Sequence, residues 1–112
     1  MKIAIITAMT DELLAVAMSF GIKDYFNSSA FSDNCFSCYG NEIYLIQSGM
    51  GFDNAARAAE ITIEACKPEL IISTGFCGAI SDNLKTGDIV VAKTIGIANK
   101  NRIEEVPVSL SP

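Results

Sequence analysis

The sequence predicts an α/β domain layered around a mixed β-sheet. Three observations carry that expectation. Isoleucine- and valine-rich apolar runs, KIAII near the start, LIIS at residues 70 to 73 and DIVVA from Asp88, read as strands buried on both faces. Segments with helical spacing of apolar residues lie between the early runs, which is the alternation that builds parallel crossovers. Gly40-Asn41 separates CFSCY from EIYLIQ, a two-residue connection suited to an antiparallel hairpin, so the sheet is expected to be mixed.

The elements follow in order. Residues 2 to 8 form the first strand. Thr10 is then expected as N-cap of a helix with Asp11 and Glu12 in its first turn, where the helix dipole favours carboxylates. Leu13, Val16, Ala17 and Phe20 repeat at core-facing spacing, and Gly21 ends the helix. Residues 22 to 34, rich in Ser, Asn and Asp, read as loop with room for one short strand. After the hairpin, Asp53 is expected to cap a second helix, NAARAAEITIEACK, with Arg57, Glu60, Glu64 and Lys67 on one solvated face and Pro68 closing it. Leu70 to Ser73 read as a buried strand, and GDIVVAKTIGIA as one longer strand starting at Gly87. With no internal repeat and no linker, residues 1 to 112 read as a single α/β domain.

Composition bounds the function. Half of the 112 residues are apolar, enough for a packed core. Eight basic against thirteen acidic residues give a net charge of −5 with no basic cluster, which argues against nucleic acid as a partner. The first apolar run stops at Thr10-Asp11-Glu12 without a cleavage-site pattern, and no run approaches the ~20 residues that span a bilayer, so a cytoplasmic protein without a membrane partner is expected. Its four cysteines are then expected to be reduced thiols. Cys35-x-x-Cys38 falls in a strand rather than at a helix N-terminus, and Cys66 and Cys77 form no second close pair, so neither a metal nor another cofactor is expected. The chain has no histidine, which removes Cys-His and Ser-His catalysis from its repertoire.

Three strand ends point to one place. KIAIITAM, IYLIQSGMG and IISTGFCGAI each end a strand in a turn, two of them glycine turns that let backbone approach a ligand. In α/β folds ligands sit beyond the carboxyl ends of strands, which is where these turns lie. Read by pattern alone, Glu12 decorates a helix N-terminus, Met9 and Met50 fill core, and Asp88 holds the turn before a strand.

In this order and spacing, MKIAIITAMTDE, SGMGFDNAARAAE, CKPELIISTGFCGAI and LKTGDIVVA resemble the N-terminal half of the purine nucleoside phosphorylase and 5′-methylthioadenosine/S-adenosylhomocysteine nucleosidase superfamily, most strongly over residues 1 to 92. The resemblance implies an α/β fold of that type, incomplete here, because family members continue into a distal half that carries the Met-Glu pair holding the ribose hydroxyls and the aspartate that protonates the purine. It implies an enzyme that cleaves the N-glycosidic bond of a small-molecule purine nucleoside. Glu12 stands where the nucleosidases carry the glutamate that orients and deprotonates the attacking water. Met9 and Met50 match positions lining the ribose and its 5′ substituent, Ser48, Gly49 and Gly51 would approach the sugar, and Gly75, Phe76, Cys77 and Gly78 would form the facing turn.

Two departures bear on the reaction. Phe76 stands where serine is usual, and Ser73 stands where the hexameric phosphorylases place a phosphate-gripping arginine, so hydrolysis is the expected course and phosphorolysis of another branch, the hopanoid-associated one included, the alternative. After residue 92 the resemblance fades into KTIGIANKNRIEEVPVSLSP. A half-protein that binds a nucleoside without turnover is the reading of a different class; in either, homo-oligomerisation or association with a distal half would cover the exposed sheet edges. A Rossmann-like module is disfavoured, since the first turn lacks G-x-G-x-x-G and no P-loop is present.

Overall fold

The computed structural model describes residues 1–22, 35–98 and 102–108; the expected loop at 23 to 34 lies outside them. The chain forms two compact units, Met1–Cys77 and Gly78–Pro112.

The first unit is a four-stranded mixed sheet in the order β2-β3-β1-β4. β1 (Lys2–Thr7) is central and pairs parallel with β3 (Asn41–Gln47) and β4 (Leu70–Ser73), while β2 (Cys35–Cys38) runs antiparallel to β3. Helix α1 (Thr10–Ser19) follows β1, and α2 (Phe52–Cys66) joins β3 to β4. The side chains of β1 alternate between two covers. Ile5 joins Leu13, Ala17, Ile43 and Leu45 in a buried cluster, with Ile3, Val16 and Phe36 packed against it, so this face lies under α1. Helix α2 also packs against β1, with its Thr62 and Cys66 buried, and covers the other face. Right-handed crossovers require this: the chain passes from β1 to β3 in one direction and back past β1 to β4 in the other, so successive helices fall on opposite faces.

The helix ends differ from the expected caps. Met9, not Thr10, is the N-cap of α1, and its amide is satisfied by the Glu12 side chain. A carboxylate three residues into the helix does the capping, which leaves Thr10 free to enter the first turn, where its hydroxyl accepts from Gln47 Nε2 at 3.1 Å. α2 likewise starts earlier than expected: Gly51 caps it at φ +90°, and Asp53 sits in the first turn. Gly21 closes α1 as expected, with φ +80° and the Ile22 amide donating to Ala17 O at 3.0 Å.

The hairpin turn is Tyr39-Gly40 rather than Gly40-Asn41, because both of these residues have positive φ (48° and 80°), the combination a two-residue turn needs to match strand twist. β4 has the expected bounds but not the expected burial. It lies at the sheet edge and leaves Ile71 and Ile72 about two-fifths exposed.

In the second unit the long strand expected from Gly87 is absent. Residues 88 to 92 are without strand pairing, and β5 begins only at Thr94, running to Ala98 against β6 (Ile103–Pro107), which sequence patterning missed. Apolar β-branched residues are compatible with a strand but do not supply a partner, and only Thr94–Ala98 has one. The turn-holding role expected of Asp88 is seen: its carboxylate accepts from the Lys85 amide at 3.0 Å. No helix among the described residues is long and apolar enough to cross a membrane.

Leu45 is 1% exposed at the centre of the α1-facing cluster. Leu45→Ala is expected to lower unfolding free energy by about 2–5 kcal/mol, measured by urea denaturation. A loss below about 1 kcal/mol would mean that the cluster relaxes into the cavity.

Candidate functional site

The parallel pairing of β3 and β4 on either side of β1 brings three carboxyl-terminal ends side by side. The ladder runs past the strands into the turns: Ser48 N donates to Thr7 O at 2.8 Å, Gly49 N to Ala8 O at 3.0 Å, and Thr74 N to Ile6 O at 3.1 Å. These bonds fix the turn backbones to one another. They enclose an open cleft of about 490 Å³ within the first unit.

Glu12 is its one carboxylate among the described residues and is 5% exposed. Oε1 accepts from the amides of Ala8 at 3.1 Å and Met9 at 2.9 Å, and Oε2 accepts from the amide of Phe76 at 2.7 Å. The Phe76 amide is the largest influence on its acidity and holds the carboxyl below its usual range; burial pushes upward, and the Met9 and Ala8 amides add to the lowering. Glu12 is therefore ionised at neutral pH without a cationic partner among the described residues, its charge carried by backbone dipoles. Asp11, next to it, is exposed.

Ser48, Gly49 and Gly51 line the cleft from the β3 turn, and Gly75, Phe76 and Cys77 from the β4 turn. Gly49 and Gly51 have φ of +86° and +90°, which explains glycine at both. Ser48 Oγ points back to backbone, donating to Thr7 O at 3.2 Å and Gly49 O at 2.7 Å. Met9, Met50 and Gly78, expected here on the resemblance, are not among the lining residues; Met9 contributes its amide to Glu12 instead.

Sequence reasoning missed Phe52 and Ala55 of α2, which line the cleft because they sit in the first turn after Gly51. Helix position one and four past a glycine cap was the available signal. It also missed Ile6, Thr7, Ala8 and Thr74, which follow from the register of β1 and β4. Phe52 and Phe76 are both more than three-fifths exposed, so the cleft has two aromatic walls that lack a protein partner for most of their surface.

The thiols lie elsewhere, Cys77 excepted. Cys35 faces Tyr44 across the β2–β3 pair, and its hydrogen bond, together with burial and the nearby charges of Cys35, Glu42 and Cys66, pushes the Tyr44 hydroxyl up to about 12. Burial pushes the Cys66 thiol up as well. Both groups are held in their neutral forms, so they pack rather than react. Among the described residues no cluster of three or more Cys, Asp or Glu is arranged to hold a metal.

Residues 2–107 match the sequence profile of the phosphorylase superfamily. The match covers the cleft and the hairpin of the second unit alike.

The amide cradle has a pH signature. Folding lowers the pKa of Glu12, so its ionised form stabilises the fold above the unfolded value of about 4.3 and that contribution is lost as pH falls through the lower folded value. Glu12→Gln is expected to cost about 1–3 kcal/mol at neutral pH, with the gap to wild type closing in acid. Urea denaturation at pH 7 and at pH 3 reads both; a gap of equal size at the two pH values would mean that the charge contributes nothing.

Proposed function

The chain belongs to the phosphorylase superfamily, and on that premise we propose that it cleaves the N-glycosidic bond of a purine nucleoside by hydrolysis. The observation that carries this reading is Glu12: a buried, ionised carboxylate held by three amides at the floor of a cleft formed by three strand ends. In the reaction the C1′–N bond breaks with its electron pair leaving on the base, an oxocarbenium-like sugar develops, and water adds to C1′. Glu12 accepts a hydrogen bond from that water, orients it, and takes its proton as the new C–O bond forms. The anionic carboxylate also favours the positive charge growing on the sugar. The departing base needs a proton from a donor outside this cleft.

Water is favoured over phosphate as the nucleophile for an electrostatic reason. None of the described lining residues is Lys or Arg, and Ser73, which by the resemblance stands in the place of a phosphate-gripping arginine, lines the cleft. A dianion placed beside Glu12 would meet like charge without a bidentate partner. Ser48, Gly49 and Gly51 form the sugar side and Gly75, Phe76 and Cys77 the facing wall, while Met9, Met50 and Gly78 are given no place in the cleft. In the same reading the 112 residues are the N-terminal portion of a cytoplasmic nucleosidase-like enzyme needing no cofactor, completed by homo-oligomerisation or a distal half. Within the first unit β4 is an edge strand with no further pairing among the described residues, which supports such assembly.

Incubation with 5′-methylthioadenosine, with and without inorganic phosphate, tests the reaction. The expected products without phosphate are adenine and free methylthioribose, and Glu12→Gln is expected to lower the rate by about 10²–10⁴-fold. Phe76→Ser is expected to change the preference between methylthioadenosine and adenosine. A phosphate requirement with sugar 1-phosphate as product would replace hydrolysis by phosphorolysis. Unchanged turnover in Glu12→Gln would remove its role.

A further inference from the structure

The position of Gly75 has a physical cause that turn chemistry does not supply. Its φ is not in the left-handed region, so the backbone does not need glycine there. Space does. A Cβ built on Gly75 would lie 2.9 Å from Glu12 Cδ, 3.3 Å from Oε1 and closer still to Oε2. Real Cβ atoms do not approach that closely, so an alanine would displace either the β4 turn or the carboxylate. Neither is free to move. Thr74, one residue before, is tied to β1 through Ile6 O, and Phe76, one residue after, donates to Oε2 at 2.7 Å. Glu12 is tied at its other oxygen to Ala8 and Met9.

We propose that Gly75 is a positioning residue: its missing side chain lets the Phe76 amide close on Glu12, which leaves the carboxylate a single open acceptor position, on Oε2. An ionised carboxylate has about four lone-pair sites. Oε1 spends both of its sites on Ala8 and Met9, and Oε2 spends one on Phe76. The ligand chemistry recognised at the remaining site is one O–H or N–H donor, and the basic atom is Oε2. This deepens the proposed reaction and rests on it for the identity of the donor, a water molecule. The latch itself does not depend on turnover.

The test separates the two. In protein labelled with ¹³C at the glutamate carboxyls, the Glu12 resonance is assigned by its loss in Glu12→Gln and titrated by NMR in wild type, Gly75→Ala and Phe76→Pro, the last lacking the amide donor. The wild-type midpoint is expected below the ordinary value of about 4.3, and both variants are expected to raise it by about one unit. In wild type the Phe76 amide proton resonance is expected to move with the same midpoint. In turnover, Gly75→Ala is expected to lower kcat more than it raises KM and to move the acid limb of the rate profile to higher pH. A Gly75→Ala protein with the wild-type midpoint overturns the proposal. So does a Phe76 amide that ignores Glu12 titration in wild type, a measurement that stands if the variants do not fold. If the titrations behave as stated but no nucleoside is cleaved, the latch holds and the hydrolytic reading fails.

Discussion

A buried carboxylate without a cation joins the parts of the first unit that a sheet alone would leave apart. Burying an ionised group in a protein interior costs several kcal/mol unless hydrogen bonds replace its water. Here three backbone amides replace it, two from the turn between β1 and α1 and one from the turn after β4. Each amide is fixed by the ladder that precedes it. The charge is thus satisfied by groups that cannot rotate away, and the same bonds cap α1 and clamp the third strand's exit onto the first. Local helix capping, tertiary closure and the electrostatics of the cleft are one interaction.

The sheet topology makes that interaction available. β1 is flanked by parallel strands on both sides, so three carboxyl-terminal ends lie at one edge within a few residues of register: Ile6 pairs with Ile46 on one side and Ser73 on the other. Antiparallel neighbours would have sent alternate turns to the opposite end. The alternation of β1 then divides the labour between faces: Ile3 and Ile5 go to α1 and Ala4 and Ile6 away from it, with Ile6 reaching the cleft. The small side chain of Ala4, fully buried, lies in the row between Tyr44 and Ile71.

Much of this is written in the residues. The bounds of β4 follow from Leu-Ile-Ile-Ser between Pro68 and a glycine turn, and the convergence of three turns follows from strand–helix alternation. What was illegible is what depends on partners. A capping side chain usually precedes its helix, so Thr10 was the natural choice until Glu12 was found reaching back from inside it. Tyr39 at positive φ is invisible to residue propensities, which assign that conformation to Gly and Asn, and the turn accordingly lies one residue earlier than expected. The apolar run at residues 88 to 92 has the composition of a strand but no pairing, and the exposure of β4 goes with its place at the sheet edge, a property of the assembled sheet. Gly75 was read as a close approach to ligand; the atom it approaches is Glu12.

In the proposed hydrolysis, the amide cradle would also decide what kind of base Glu12 is. A group whose acidity is raised by donors gives up driving force for taking a proton while gaining certainty of being ionised. For a nucleophile that attacks a nearly neutral centre, that exchange would be costly. An oxocarbenium-like sugar is the opposite case: the electrophile is already charged when water arrives, so the water needs orientation and a nearby negative charge more than early deprotonation. A fixed carboxylate with one open acceptor position, as proposed for Glu12, would supply both, and its proton uptake would fall late, once the new C–O bond has made the water strongly acidic. The geometry of the cradle and the chemistry of glycosidic cleavage therefore fit for the same reason, namely that charge is provided in advance rather than created at the moment of attack.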